Sequence, residues 1–114
     1  MRATVIAVAK YEREVKRLLA ESERSAMEEA IAADPEAHPV IPGTGGVRKA
    51  RWGRRGKGKS GGVRAICYYM VSGGTVYMLS IYSKGGQEDM TPDGRKAARK
   101  FVENLKNARK ESRK

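Results

Sequence analysis

Cations and phenols crowd the middle of this 114-residue chain, and their types point to work on a phosphate. No Asp or Glu occurs between Glu36 and Glu88, while Arg48, Lys49, Arg51, Arg54, Arg55, Lys57, Lys59, Arg64 and Lys84 all fall inside that window. A solvated helix face normally mixes signs, so a one-sign stretch of this length marks a surface for a polyanion; a loop kept soluble by its charges is the plainer alternative. The totals agree: 24 Lys and Arg against 13 Asp and Glu leave +11 on one small domain, which favours nucleic acid. RNA carries its own nucleophile, the 2′-hydroxyl. Cleaving it in line requires a base for that hydroxyl, cations for the crowded charge, and a proton for the leaving 5′-oxygen. Lys, Arg and Tyr supply all three without histidine. Packed cations disfavour one another's charged forms, so a lysine of the cluster is suited to act as base, and the same field favours a phenolate at Tyr82. The expected arrangement is several cations and a phenol converging on one phosphate, with no carboxylate beside them.

Other chemistries find little footing. Gly53, Gly58, Lys59 and Ser60 match the phosphate-binding pattern G-x-x-x-x-G-K-[ST]. That loop needs a strand before it and a helix after it, and here Val63, Ile66, Tyr68 and Tyr69 follow, which is strand material. His38 is the sole histidine and Cys67 the sole thiol, so neither a metal site nor a histidine-dependent triad is expected, and no cofactor is implied. His38 reads as an exposed residue of a Pro-rich turn, and Cys67 as core packing. A single cysteine suits a reducing, cytoplasmic setting. The apolar run from Ala3 to Ala9 is too short for a signal peptide, and no stretch is long enough to span a bilayer.

The elements that must position these residues follow from periodicity. Thr4 to Val8 reads as an opening strand. Tyr11, Val15, Leu18 and Leu19 have helical spacing. Ser22 is a suitable N-cap for a second helix with inner face Met27, Ala30 and Ile31, which Asp34-Pro35 stops. Pro39, Pro42, Gly43, Gly45 and Gly46 mark an ordered turn. Strands are expected over Val47–Gly53, Val63–Val71 and Thr75–Ser83, with a basic glycine-rich loop running through Gly62 between the first two. Thr91 caps a last helix with Pro92 at its first position and Ala98, Phe101, Val102 and Leu105 as its buried stripe. One domain spans 1–110, followed by a frayed basic tail, 111–114.

Register decides where the chemistry sits. A two-residue Gly73-Gly74 loop would place Arg64 opposite Ser83; a three-residue loop from Ser72 pairs Val71 with Thr75, and hence Arg64 with Tyr82. The three-residue loop gathers Ala65, Cys67, Tyr69, Tyr77, Leu79 and Ile81 on one face as core. It leaves Arg64, Ile66, Tyr68, Ser80, Tyr82 and Lys84 on the other, and it buries no charge, so patterning selects it. Trp52 and Tyr68 are available either to stack an unpaired base or to fill the core.

The run Ile41-Pro42-Gly43-Thr44-Gly45-Gly46-Val47-Arg48-Lys49-Ala50-Arg51-Trp52, followed by Gly58-Lys59-Ser60-Gly61-Gly62-Val63-Arg64-Ala65-Ile66-Cys67-Tyr68-Tyr69, resembles the RelE/HigB toxin superfamily, most of all its HigB-like branch. Asp34-Pro35-Glu36-Ala37 and Ile81-Tyr82-Ser83-Lys84 extend the resemblance over nearly the whole chain. It implies an α+β, RelE-like fold: an N-terminal helical hairpin packed on a small antiparallel sheet, with a C-terminal helix. It implies a ribosome-dependent, metal-independent endoribonuclease that cuts messenger RNA in the decoding site. It also implies a cognate antitoxin, of helix-turn-helix type, through which the pair reaches operator DNA. By position, the family's basic loop residues fall on Lys57 and Lys59, its strand arginine on Arg64, and its late-strand tyrosine and basic residue on Tyr82 and Lys84. Arg64 and Lys84 are then assigned to the phosphate, Lys57 or Lys59 assists, Tyr82 is the base or positions it, and the general acid is unassigned. Arg48, Lys49, Arg51, Arg54 and Arg55 are the expected RNA-binding cations. Two other classes share such a fold and charge: a ParE-like inhibitor of DNA gyrase, and an RNA-binding module without turnover.

Overall fold

A computed structural model of the chain describes residues 2–54, 58–83 and 90–112. The order of elements is β1 (Thr4–Ala7), α1 (Ala9–Leu18), α2 (Glu21–Ala33), β2 (Arg48–Arg54), β3 (Gly58–Met70), a short 3-10 turn (Val71–Gly73), β4 (Thr75–Ser83) and α3 (Pro92–Ser112). The strands form one sheet in the order β1-β4-β3-β2. It is mixed rather than wholly antiparallel: β2, β3 and β4 alternate in direction, but β1 joins β4 in parallel. The reason is that the chain returns to β4 only after both N-terminal helices and two strands, so no hairpin constrains the direction of β1.

Helices cover both faces. On one side α1 and α2 pack Tyr11, Val15, Met27 and Ile31 against Ala65, Cys67, Met78 and Ile81. On the other, α3 sets Ala98 and Val102 on Ile66, Tyr68 and Leu79. The face expected to be polar therefore carries a second core, with Arg64 and Tyr82 at its end.

Local chemistry explains where the elements start. α2 begins at Glu21, with Ala20 and not Ser22 at its cap, because the Glu23 carboxylate accepts the Ala20 backbone N–H at 3.2 Å and so fixes the first turn earlier. Its buried face is Met27, Ile31 and Ala32, and Ala30 is exposed. It ends at Ala33, as the following Asp34-Pro35 requires. α3 starts as expected: the Thr91 hydroxyl accepts the Gly94 N–H at 3.0 Å, with Pro92 at the first helical position. A network ties α1 to α2. Arg24 bonds Glu12 and, at 2.8 Å, Glu28, and its guanidinium lies 5.4 Å from the Tyr11 ring centroid. The buried Tyr11 hydroxyl donates to Glu28 at 2.6 Å.

β3 is longer than expected and begins at Gly58, so the stretch through Gly62 is strand and not loop. A Cβ on Gly62 would lie 2.0 Å from the Trp52 carbonyl oxygen; without one, β3 passes close against β2 where the register shifts between Trp52 and Arg54. The β3–β4 connection is also longer by one residue than the favoured loop: Met70, not Val71, pairs with Thr75. A bulge opposite Ile66 and Cys67 absorbs the extra residue, Leu79, so Arg64 still pairs with Tyr82. Between bulge and turn the faces exchange. Tyr77 and Leu79 lie on the α3 side, while Val76 and Met78 join the α1–α2 core.

Candidate active site

The sheet places Arg51, Arg64 and Tyr82 directly opposite one another on three adjacent strands. Directly paired residues project to the same face, so these three form one row across the α3 side of the sheet. Arg51 is exposed, Tyr82 is half-buried, and Arg64 is only 4% exposed, which departs from its expected place on an open polar face. The Arg64 guanidinium donates through Nη1 to the Val63 carbonyl oxygen at 3.2 Å. A fixed, water-poor cation exerts a stronger field than a solvated one. The neighbouring row is Lys49, Ile66 and Ser80, two residues along each strand and so about 7 Å away.

Other expected site residues lie elsewhere. Arg55, Lys57 and Lys84 fall outside the described residues. Arg54 and Lys59 have their backbones in β2 and β3, while their side chains are outside that set. Arg48 pairs with Cys67 and so projects to the opposite face from Arg51 and Arg64. Its Nη1 donates to the carbonyls of His38, at 2.7 Å, and Glu36, at 3.1 Å, clamping the segment that leads into β2. Trp52 is half-buried against the α1–α2 core. Tyr68 is buried under α3, and Gly46, at φ 114°, sits so close that a Cβ there would be 3.4 Å from its ring. Tyr68 is core, not a stacking platform.

The acid-free window of the sequence is not acid-free in space, because α1 delivers Glu14 to β4. Its Oε1 accepts the Ser80 hydroxyl at 3.0 Å and the Ile81 N–H at 3.2 Å. Its Oε2 accepts Lys10 Nζ at 2.9 Å, and Lys10 also donates to Ser80 Oγ at 3.0 Å. A carboxylate therefore bonds Ser80, in the row next to Arg64 and Tyr82. β1 pairs with β4 only as far as Met78, leaving the Ile81 N–H for a helix side chain. The sequence shows Lys10 and Glu14 as an i, i+4 pair beside the Tyr11–Val15 stripe, but not the strand that the pair reaches. These side chains form the polar wall of a cavity of about 460 Å³ between α1, α3 and the sheet, and Tyr82 lines it too.

The remaining reactive groups are quiet. Burial pushes the Cys67 thiol up to about 12, which makes it a poor nucleophile. His38 is half-buried rather than exposed, drawn in by the Arg48 clamp, and desolvation lowers its pKa. Gly58, Lys59 and Ser60 run into strand, so no helix N-terminus faces the glycine-lysine match. Among the described residues no helix is long and apolar enough to cross a membrane.

Similarity to known proteins agrees with this geometry. The free-state structure of a double arginine-to-alanine mutant of the E. coli toxin RelE matches with a TM-score of 0.56 and 16% identity, over 77% of this chain and 90% of that one. At that identity the likeness carries the fold, here three helices and a four-stranded mixed sheet. A sequence profile described as the RelE toxin of the RelE/RelB toxin–antitoxin system matches residues 7–113, and on that span the chain belongs to the RelE toxin family.

Proposed function

We propose that this chain is the toxin of a toxin–antitoxin pair and a metal-independent endoribonuclease acting on messenger RNA in the ribosomal decoding site. The observation that carries the reading is the pairing of Arg64 with Tyr82 across β3 and β4, a buried cation and a phenol on one face beside Arg51. In the reaction, the 2′-hydroxyl loses its proton to the base as its oxygen bonds phosphorus. The bond from phosphorus to the 5′-oxygen breaks, and that oxygen takes a proton. The products are a 2′,3′-cyclic phosphate and a 5′-hydroxyl. Tyr82 serves as base or orients it; Arg64 and Lys84 neutralise the phosphorane, with Lys57 or Lys59 assisting. Lys49, Arg51, Arg54 and Arg55 hold the flanking strand, and the charge of +11 adds attraction along it. The partner that restrains the activity in the cytoplasm is a cognate antitoxin of helix-turn-helix type, laid over the basic face, and operator DNA is reached through it. Expression of the chain alone should arrest growth and leave translated transcripts cleaved. Intact transcripts with damaged DNA would indicate gyrase inhibition, and intact but bound RNA a module without turnover.

A further inference from the structure

The cavity beside Tyr82 has the makeup of a ligand site rather than a packing fault. Its sheet side is apolar, from Ile66 and Leu79, and Phe101 of α3 closes over them. The Phe101 ring is held by an edge contact with Tyr77, centroids 5.7 Å apart, so it offers a fixed face for stacking. One wall is polar, and its groups hold one another: Lys10, Glu14 and Ser80 bond mutually at 2.9 to 3.0 Å. Capacity is left over. Among the described residues, Lys10 spends two of its three N–H groups, on Glu14 and Ser80, and Glu14 Oε2 accepts only Lys10. The wall therefore presents a hydrogen-bond donor next to an acceptor. An apolar pocket with a few convergent polar groups is the usual form of a small-ligand site.

We infer that this cavity binds an unpaired nucleobase of the RNA strand whose phosphate lies over Arg64 and Tyr82. The inference rests on the nuclease reading and adds to it the residues that read the base. Ser80 stands in the row next to Arg64 and Tyr82 on the same face, about 7 Å along the strand, which suits a base joined to that phosphate. Every nucleobase offers a ring face for Phe101 and a donor beside an acceptor on its edge. Glu14 and Lys10 then set which edge is accepted, and cleavage acquires a sequence preference.

Two measurements test this with the full chain. Nucleoside monophosphates titrated into protein with labelled Met and Phe should shift Met90 and Phe101, which line the cavity, before residues of α2. Ala97 is exposed on α3 and faces the cavity, so Ala97→Trp fills the pocket from its rim. It should abolish those shifts and slow cleavage by about tenfold or more at an unchanged melting temperature. Ala97→Leu serves as the milder filling should the tryptophan impair folding. Glu14→Gln should redistribute the cleaved bases. If nucleotides move neither signal, or if both filled variants cleave at the normal rate and at the same bases, the pocket is not a base site, while the nuclease reading stands. Signals that move with a purified antitoxin and not with nucleotides would equally overturn it. No cleavage by the native chain, with Met90 and Phe101 still responding to nucleotides, would remove the nuclease reading and leave the nucleotide site.

Discussion

At the scale of single residues, burial sharpens what Arg64 can do and what its loss would mean. Its guanidinium presents a planar set of donors, whereas lysine offers a point charge on a flexible stem. Arg64→Lys keeps charge and most of the volume. It should therefore hold the fold while lowering cleavage by about a hundredfold, the range of one preorganised donor to a charged transition state. Arg64→Ala should lose at least as much activity and also stability, because the side chain is 4% exposed and its removal leaves a void beneath the site. Circular-dichroism melts beside cleavage rates separate the two effects. The pairing of Arg64 with Tyr82 was legible in the sequence because only that register kept the charge out of the α1–α2 core. Its burial was not legible, since α3 closes over the same face. Glu14 was illegible for another reason: no spacing within a sequence shows which strand edge a helix carboxylate will reach.

At the scale of elements, small backbone facts govern placement. Among the described glycines Gly62 has the least room for a Cβ: a methyl there would strike the Trp52 carbonyl, which is backbone and cannot swing away. Gly62→Ala should cost roughly 1–3 kcal/mol, a fall in melting temperature of several degrees, and should lower activity by pulling Arg51 out of line with Arg64. The α1–α2 hairpin depends on Arg24, whose loss strands Glu28 and Glu12. Arg24→Ala should destabilise by about 2 kcal/mol with little change in cleavage per folded molecule. α3 was readable from Thr91-Pro92 because a cap and a proline act locally. The start of β3 was not, because glycines that signal a loop by propensity here serve close packing of two strands, a tertiary demand. The bulge at Leu79 exchanged Tyr77 and Val76 between faces, which strict alternation cannot foresee. It also restored the register at the site.

At the scale of the whole molecule, helices pack on both faces of a mixed sheet, and the proposed site lies at one end of the α3 face. Stability should respond to acid in two stages. Burial holds the His38 pKa below its ordinary 6.5, so the unfolded chain binds the extra proton first; that stability is complete above pH 6.5 and is lost as pH falls through the lowered value. Hydrogen bonding from Arg24 holds Glu12 below its ordinary 4.5, so its share is complete above pH 4.5 and is lost as pH falls further. Melting temperatures recorded from pH 8 to pH 3 should fall in both windows, and His38→Gln should flatten the upper one. The proposed function rests on the row that β2, β3 and β4 assemble from residues far apart in sequence. It is tested most directly by adding the purified chain and its Arg64→Lys and Tyr82→Phe variants to a defined translation system and identifying the new 3′ ends of the messenger. Cleavage by the native chain leaving a 2′,3′-cyclic phosphate, and falling about a hundredfold or more in each folded variant, is the predicted result. Uncut messenger with the native chain, 3′-hydroxyl ends, or undiminished cutting by both variants would contradict it.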